Sequence, residues 1–314
     1  VARLYYEQGL TQADIGLRVN VSRSTVSRLL DEARRRGLVE IVIHDPWGRS
    51  AECEQELARR FGLREVRVLE SRGRPANEVQ HGLGVLAAHY LDSEVREGMI
   101  LGLSWGRTVA AAVRALRPNH RLPITVVQII GAAGTADPLV DGPDLARLLA
   151  SAYGGDYRYL HAPLLLEDVR ARDALLQEPR IQETLALARR ADMILMGIGS
   201  LAPEVSSLLF AGYLDERALA ELRSQGAVGH VCGRHIDGHG RVLDVEINRR
   251  IVGLEIEALR RINRVVAVAG GKVKARAILG ALRGRYMGVL VTDDTAAREV
   301  LALDDGREVS SMPE

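Results

Sequence analysis

The chain has 314 residues, which is longer than one hydrophobic core usually grows and therefore predicts two domains. Hydrophobic residues make up 47% of the sequence and aromatic residues only 4%, so the core is expected to be built from aliphatic side chains, as in α/β proteins. The net charge of +1 argues against general polyanion binding, and because no apolar run reaches about 18 residues we expect no membrane partner.

Two short helices joined by a tight turn are predicted over residues 10–37. Thr11 is suited to cap the first helix, with Asp14 completing a capping box, and Ser22 is suited to cap the second. Apolar residues at helical spacing should be buried between these helices. These residues are Ile15, Leu17, Val26, Leu29, Leu30 and Ala33.

The other face of the second helix carries hydroxyl and guanidinium groups. Residues 22–36 contain five arginines and two acidic residues, a local charge of +3. Such a helix, braced by a shorter one, is typical of a helix-turn-helix that enters the major groove of DNA, although an ordinary helical hairpin with a solvated charged face has a similar pattern. We expect Arg28 and Ser24 to contact base edges. Residues that position the helix on phosphates are expected to be Thr11, Gln12, Ser22 and Arg23. The residues predicted to bind DNA are Thr11, Gln12, Ser22, Arg23, Ser24, Thr25, Ser27 and Arg28.

The helix-turn-helix belongs to a predicted first domain over residues 1–45, which ends with a wing strand over residues 38–43. This domain is expected to be truncated at its N-terminus, because Val1 falls inside a predicted helix. The Asp-Pro-Trp-Gly stretch that follows breaks all regularity, so residues 46–52 are predicted to be a linker. Residues 53–314 then form the second domain.

Strands alternate with helices in the second domain, which predicts a mostly parallel sheet covered on both faces. The predicted strands cover residues 66–69, 99–103, 124–130, 157–160, 191–198, 227–231, 264–269 and 288–291. Helices are predicted over residues 51–61, 77–92, 109–116, 254–262 and 272–282 and from residue 295, and a hairpin-like stretch is expected around residues 237–240.

Ligands of such sheets bind beyond the carboxyl ends of the strands, where this sequence places glycine turns. Gly270-Gly271 is followed by Lys272 and Lys274, the only lysines in the chain. Bare backbone N–H groups, a helix N-terminus and an ammonium group together suit a phosphate, although solvent-facing lysines after an ordinary turn would give the same pattern. Residues 104–108 combine hydroxyl groups, a glycine and an arginine in a similar turn.

Three other kinds of site are not predicted. Residues 197–202 match the dinucleotide pattern G-x-G-x-x-A, but Pro203 follows and no strand ending in an acid lies about 20 residues later, so no cofactor is assigned. Three histidines lie within ten residues beside Cys232 without a familiar ligand spacing, so no metal site is expected. No catalytic arrangement of carboxylates or nucleophiles is found, and the two cysteines are expected to be reduced core thiols of a cytoplasmic protein.

Seven motifs, in this order along the chain, resemble those of the SorC family of bacterial sugar-responsive transcriptional regulators. They are GLTQADIG, VSRSTVSRLLDEARRRGLV, LGLSWGRT, GIGS, GAVGHVCGRHIDGHGR, RVVAVAGGKVKARAILGALRG and LVTDDTA. The resemblance implies a small winged helix-turn-helix joined to a larger, mostly parallel α/β domain similar to sugar-phosphate isomerases and deaminases. It also implies a homo-oligomer, dimer or tetramer, that binds double-stranded operator DNA under the control of a phosphorylated sugar.

The resemblance also implies an effector site. Lys274 matches the lysine of the family's GGxxK phosphate turn, residues 106–108 match its strand-end loop, and residues 131–135 match the glycine loop that approaches the sugar. Many members have an acidic residue where this chain has His230, so the family's usual effector is not assumed. The predicted effector residues are Ser104, Gly106, Arg107, Thr108, Gly131, Gly134, Thr135, Gly197, Gly199, His230, Gly270, Gly271 and Lys274.

The sequence therefore predicts a regulator of carbohydrate catabolism that binds DNA, responds to a phosphorylated sugar or polyol and is not an enzyme. An active sugar-phosphate isomerase or deaminase fused to a DNA-binding module is the alternative, and it would need His230, Asp237 or Asp293 as a catalytic group. A purely structural DNA-binding protein is the third hypothesis.

Overall fold

The computed structural model describes residues 1–6, 8–36, 38–39, 47–118, 120–134 and 140–306. The chain divides into two compact units, Val1–Pro46 and Trp47–Glu314. The predicted wing strand lies outside the described residues from residue 40 onward, and Thr135 lies outside them as well.

The first unit contains the helices α1 (Ala2–Tyr6), α2 (Gln12–Arg18) and α3 (Arg23–Arg35). Thr11 Oγ1 accepts a hydrogen bond from the backbone N–H of Asp14 at 3.2 Å and donates one to its carboxylate at 2.6 Å. Ser22 Oγ accepts from the backbone N–H of Thr25 at 3.1 Å. Both predicted caps are therefore present, and they fix where α2 and α3 begin.

A small apolar core holds the first unit together. Ile15, Val26 and Leu30 are buried in it, as predicted. Leu17 is 84% exposed and Leu29 is 45% exposed, so the prediction that they turn inward was wrong. At about 100° per residue Leu17 lies on the opposite side of its helix from Ile15, and Leu29 lies at the edge of the buried stripe.

The turn between α2 and α3 is tight. A Cβ atom on Gly16 would lie 2.8 Å from the carbonyl oxygen of Val21, so only glycine allows this approach. Asn20 has a φ of 56°, in the left-handed region that asparagine tolerates better than most residues. The sequence thus specifies the turn at two positions.

The second unit is built on a nine-stranded sheet. Its strands are β1 (Glu65–Leu69), β2 (Ile100–Leu103), β3 (Thr125–Gln128), β4 (Asp156–Arg158), β5 (Met193–Ser200), β6 (Gly229–Val231), β7 (Arg234–Ile236), β8 (Arg264–Val268) and β9 (Val289–Asp293). Seven of them form a parallel sheet in the order β1-β9-β8-β5-β2-β3-β4. β6 pairs antiparallel with the end of β5, and β7 pairs antiparallel with β6. The predicted, mostly parallel α/β fold is confirmed.

Helices cover this sheet. They are α4 (Ala51–Phe61), α5 (Ala76–Glu94), α6 (Arg107–Ala115), α7 (Gly142–Tyr153), α8 (Val169–Leu176), α9 (Pro179–Ala188), α10 (Ser207–Phe210), α11 (Glu216–Ser224), α12 (Glu246–Arg249), α13 (Ala275–Arg283) and α14 (Asp294–Asp304). Every residue of β9 is buried. Because successive side chains of a strand point to opposite faces, β9 is covered on both faces.

Some predicted element boundaries differ from the structure. The helix predicted over residues 254–262 is a 3₁₀ helix over Ile256–Arg261, and a 3₁₀ turn at Lys272–Lys274 precedes α13. Residues 47–52, predicted as part of a linker, belong to the second unit. Trp47 packs against its core, the backbone N–H of Ser50 bonds to Val68 at 2.9 Å, and α4 begins at Ala51.

A hairpin between β6 and β7, which was not predicted, turns at Cys232 and Gly233. These two residues have φ values of 49° and 79°, which is the pattern of a two-residue type I′ hairpin turn. Residues 237–240 form a second turn, in which Asp237 Oδ1 accepts from the backbone N–H groups of His239 and Arg241 at 2.9 and 2.8 Å. Ile236 and Val242 form an antiparallel bridge across this turn, which confirms the predicted hairpin-like stretch.

Candidate functional sites

A cavity of about 550 Å³ lies in the second unit beyond the carboxyl ends of β2, β5, β8 and β9. Its size falls within the range of small-molecule sites. Its walls come from the segments that follow these strands, from the hairpin of β6 and β7 and from the beginning of α5. Parallel topology brings these segments together, because the carboxyl ends of parallel strands meet at one edge of the sheet.

Lys274 provides a half-buried positive charge in this cavity. Its Nζ atom donates a hydrogen bond to the carbonyl oxygen of Ile198 at 3.0 Å. Burial lowers the pKa of the Lys274 ammonium to about 8, and the charge of nearby Arg107 acts in the same direction. In the part of the chain that the structure describes, no carboxylate pairs with Lys274, whereas exposed Lys272 lies 3.6 Å from Glu299. Lys274 thus has unmet capacity to bind an anion.

The glycine turn before Lys274 is held by Asp293. The carboxylate of Asp293 accepts the backbone N–H of Gly271 through Oδ2, and through Oδ1 it accepts those of Thr295 and Ala296 at 3.0 and 3.1 Å. A Cβ atom on Gly270 would lie 2.2 Å from Asp293 Oδ2, so the close approach requires glycine. Asp293 is fully buried and supports the turn from behind.

The N-terminus of α6 forms a second part of the cavity wall. Gly106 precedes the helix with a φ of 124°, and Thr108 Oγ1 ties its first turn to the carbonyl oxygen of Val268 at 3.0 Å. The guanidinium group of Arg107 lies 5.0 Å from the ring centre of Phe210 and donates to Val205 at 3.3 Å. The positive end of the helix dipole and Arg107 therefore reinforce the charge of Lys274.

His230 lines the cavity from β6, opposite Gly199 of β5. A Cβ atom on Gly199 would lie 1.9 Å from Nε2 of His230, so the glycine makes room for the imidazole. His230 Nε2 lies 3.5 Å from the hydroxyl oxygen of Ser207. Burial, together with the charges of His235 and Lys274, holds the pKa of His230 well below its usual value, so the ring is neutral near pH 7.

A second histidine, His235, lies behind His230 with 5.5 Å between the ring centres. Its Nδ1 atom lies 3.2 Å from the amide oxygen of Asn248, while its Nε2 is buried and has no hydrogen-bond partner among the described residues. Burial lowers the pKa of His235 to about 4. No group of His, Cys, Asp or Glu side chains within the described ranges could hold a metal ion.

The structure brings most of the predicted effector residues together. Those that line the cavity are Ser104, Gly106, Arg107, Thr108, Gly197, Gly199, His230, Gly270, Gly271 and Lys274. Gly131 and Gly134 do not line it. Gly131 packs against Pro163 and accepts a hydrogen bond from the Trp105 indole at 3.0 Å, and the N–H of Gly134 is bound by Asp141 at 2.9 Å.

Other lining residues were missed by the sequence analysis. Arg74 reaches the cavity from the segment before α5, Asn77 and Gln80 reach it from the beginning of α5, and Ser207 reaches it from α10. The sequence does show polar residues at the start of a predicted long helix. They could not be assigned to the cavity, because the sequence does not reveal that β1, which precedes α5, pairs with β9 and so brings the start of α5 to the cavity.

The predicted DNA-binding side chains lie at the surface of the first unit. Arg23, Ser24 and Arg28 of α3 are exposed, as are Thr11 and Ser22, while Gln12, Thr25 and Ser27 are half-buried. Ser22 Oγ lies 2.8 Å from the hydroxyl groups of both Ser24 and Thr25.

The arginines in and directly after α3 differ in whether they form ion pairs. Arg35 and Arg36 pair with Glu32 at 2.7 and 2.5 Å. Arg23 and Arg28 form no ion pair within the described residues, which leaves their guanidinium groups available for phosphates and bases.

Both units match known families. Residues 45–302 match the family model described as "Putative sugar-binding domain", and residues 2–50 match the MarR family. The deoxyribonucleoside regulator of Bacillus subtilis (strain 168) is 32% identical over 301 residues, covering 96% of this chain and 95% of that protein. The transcriptional regulator LsrR of Enterobacter sp. (strain 638) is 33% identical over 305 residues, covering 96% and 92%. The crystal structure of full-length sorbitol operon regulator SorC from Klebsiella pneumoniae superposes with a TM-score of 0.76 at 30% identity, covering 96% of each chain.

A helix-turn-helix unit joined to a sugar-binding domain with a charged cavity defines a transcriptional regulator of the effector-responsive class. The structure and the matches agree along nearly the whole chain. This chain belongs to the SorC family of transcriptional regulators. The predicted family, fold class and regulatory function are confirmed, and no helix among the described residues is both long and apolar enough to cross a membrane.

Proposed function

We propose that a phosphorylated sugar or polyol binds in the cavity and changes the affinity of this regulator for double-stranded operator DNA. The observation that carries the proposal is the half-buried ammonium of Lys274, which has no carboxylate partner within the described residues and lies beside Arg107. A charge that is partly removed from water and has no counter-charge is costly, and a dianionic phosphate at this position would reduce the cost. The N-terminus of α6 adds backbone N–H groups suited to the same anion.

Residues 1–45 act as the DNA-binding domain, and residues 53–314 bind the effector and form the contacts of a homo-oligomer, a dimer or a tetramer. Arg28 and Ser24 of α3 contact base edges. Thr11, Gln12, Ser22 and Arg23 position the helix on phosphates, with Thr25 and Ser27 beside them. A dimer or a tetramer would match the symmetric half-sites that helix-turn-helix proteins bind. Because operator DNA lies in the bacterial cytoplasm, the protein acts there.

The cavity binds its ligand without turnover. The alternative enzyme needs a carboxylate or an imidazole that can take up a proton from the substrate. Asp293 is the one carboxylate among the described residues of the cavity wall, and both of its oxygens are engaged by backbone N–H groups. Asp237 lies outside the wall and closes its own turn. Burial holds the pKa of His230 well below its usual value, so its imidazole is a weak base that is better suited to hydrogen bonding than to proton abstraction.

The replacement Lys274→Met tests this proposal. Fluorescence anisotropy with promoter DNA from upstream of the protein's own gene is measured with and without each of a panel of hexose and pentose phosphates. At least one phosphosugar should change the DNA affinity of the wild type by fivefold or more, since effector couplings are typically about 1 to 3 kcal/mol. Lys274→Met should bind DNA with unchanged affinity and lose the response.

Lys272→Met is the matched control, since Lys272 is the other lysine of the chain and its side chain is exposed at the surface. It should respond as the wild type does. A full response from Lys274→Met, or an equal response to the unphosphorylated sugars, would contradict the proposed anion site.

A further inference from the structure

A second wall of the cavity carries hydrogen-bonding groups without charge. His230 and Ser207 both line the cavity, and their Nε2 and Oγ atoms are 3.5 Å apart, at the outer limit of a hydrogen bond. This contact is too weak to satisfy either group fully. The imidazole and the hydroxyl can each donate a hydrogen bond to a ligand group or accept one from it, and one ligand group can contact both.

The surroundings keep this wall free of negative charge. The positive side chains in the cavity wall are Lys274, Arg107 and Arg74. Asp293, the single carboxylate that the described part of the chain contributes to this wall, is fully buried, and its oxygens are engaged by backbone N–H groups. A cationic group on a ligand would therefore lie near Lys274 without meeting an available carboxylate.

We propose that His230 and Ser207 select an effector that presents an uncharged hydroxyl group at this wall, and that they reject the corresponding amino sugar. This inference rests on the proposed function, because it concerns the same cavity and the same phosphorylated ligand. A hydroxyl group donates to one partner and accepts from the other, which satisfies both side chains. The ammonium group of an amino sugar only donates, and its charge would be repelled by Lys274, whose charge already acts on His230.

Matched sugar pairs test the inference. Isothermal titration at pH 7 is carried out with glucose 6-phosphate against glucosamine 6-phosphate, and with galactose and mannose 6-phosphates against their 2-amino analogues. The wild type should bind the hydroxyl member at least about tenfold more tightly in any pair that binds. Two like charges that are brought close together lower the binding affinity by more than about tenfold.

Two replacements connect this preference to the wall. Ser207→Asp introduces a carboxylate at a half-buried position, and it should reduce or reverse the preference by at least about tenfold. His230→Asn keeps a neutral hydrogen-bonding group and should preserve the preference. His230→Asp places the same charge at a fully buried position and is used only if circular dichroism shows that it folds.

The outcomes separate the inference from the proposed function. Equal binding of both members of a pair, or an unchanged preference in Ser207→Asp, overturns the inference and leaves the anion site intact. Failure of every phosphosugar to bind the wild type overturns the proposed function and the inference with it.

Discussion

The two units place their functional side chains in opposite ways. In the first unit, the eight predicted DNA-binding residues lie within 18 consecutive positions, and five of them are exposed. In the second unit, the cavity is lined by residues from Ser71 to Thr295, and among its key groups His230 and Asp293 are buried. A surface site can thus be assembled by local helix geometry, whereas a buried site depends on the complete sheet. Local sequence patterns therefore identify the first kind of site more fully than the second.

Replacement of Ile15 by alanine should give the largest effect. Ile15, Val26 and Leu30 lie at the centre of the core of the first unit. Replacing Ile15 leaves a cavity there, so the free energy of unfolding of this unit should fall by about 2 to 5 kcal/mol. Both tryptophans belong to the second unit. Urea unfolding should therefore show an early transition by far-ultraviolet circular dichroism that tryptophan fluorescence does not detect.

Leu17→Ala is the control for this prediction, because the Leu17 side chain is 84% exposed. Its effect should be within about 0.5 kcal/mol. A loss at Leu17 equal to that at Ile15 would mean that the exposed face of α2 is covered by something else in solution.

Replacement of Arg28 by alanine should have the next largest effect. A bidentate contact from arginine to a guanine edge contributes about 1 to 3 kcal/mol of discrimination, so operator affinity should fall about 10- to 100-fold while binding to unrelated DNA changes less. Competition binding with operator and scrambled duplexes measures the ratio directly.

Arg35→Ala is the matched change for Arg28→Ala, since Arg35 lies on the same helix but pairs with Glu32. It should weaken binding to operator and scrambled DNA alike and by a smaller factor, because it removes one positive charge that already pairs with Glu32 and that is not expected to contact a base. If the two replacements lower the specificity ratio equally, Arg28 does not read bases.

A pH titration should give the smallest effect and tests the second unit. Burial lowers the pKa of Lys274 from 10.5 to about 8 in the free protein, so the ammonium that attracts the effector is lost as pH rises through this value. With phosphate ionised throughout, effector affinity should fall by only about twofold between pH 7 and 8 and then by up to about tenfold per pH unit. Lys274→Arg, which stays protonated, should give a flat profile, and a flat profile in the wild type would refute the role of the ammonium.

Much of the fold could be predicted because its signals are local. The caps at Thr11 and Ser22, the helix over residues 51–61 and the buried strands of the parallel sheet follow from capping chemistry and from runs of aliphatic residues. The helices α7 to α12 were not predicted. Several of them are short, so their positions depend on packing against the sheet more than on their own periodicity.

The candidate site could be predicted only in part. The glycine turns at 270–271 and 104–108 were found because a bare turn at the end of a strand is visible in the sequence. The turn that contains Gly131 and Gly134 is also rich in glycine, but these residues contact Pro163 and Asp141 and do not line the cavity. Glycine content alone therefore did not distinguish turns that face the cavity from turns that support a loop. Arg74 and Ser207 were missed because sheet order and a short helix bring them to the cavity.

The four adjacent strands that end at the cavity have a consequence for genetics. Since β2, β5, β8 and β9 come from widely separated parts of the sequence, damage to the core almost anywhere in the second unit would distort the same pocket. Selections for mutants that no longer respond to the effector should therefore recover changes scattered over the codons from Ser71 to Thr295, most of them at apolar positions that do not touch the effector. Their products would still occupy the promoter, because the first unit has a core of its own.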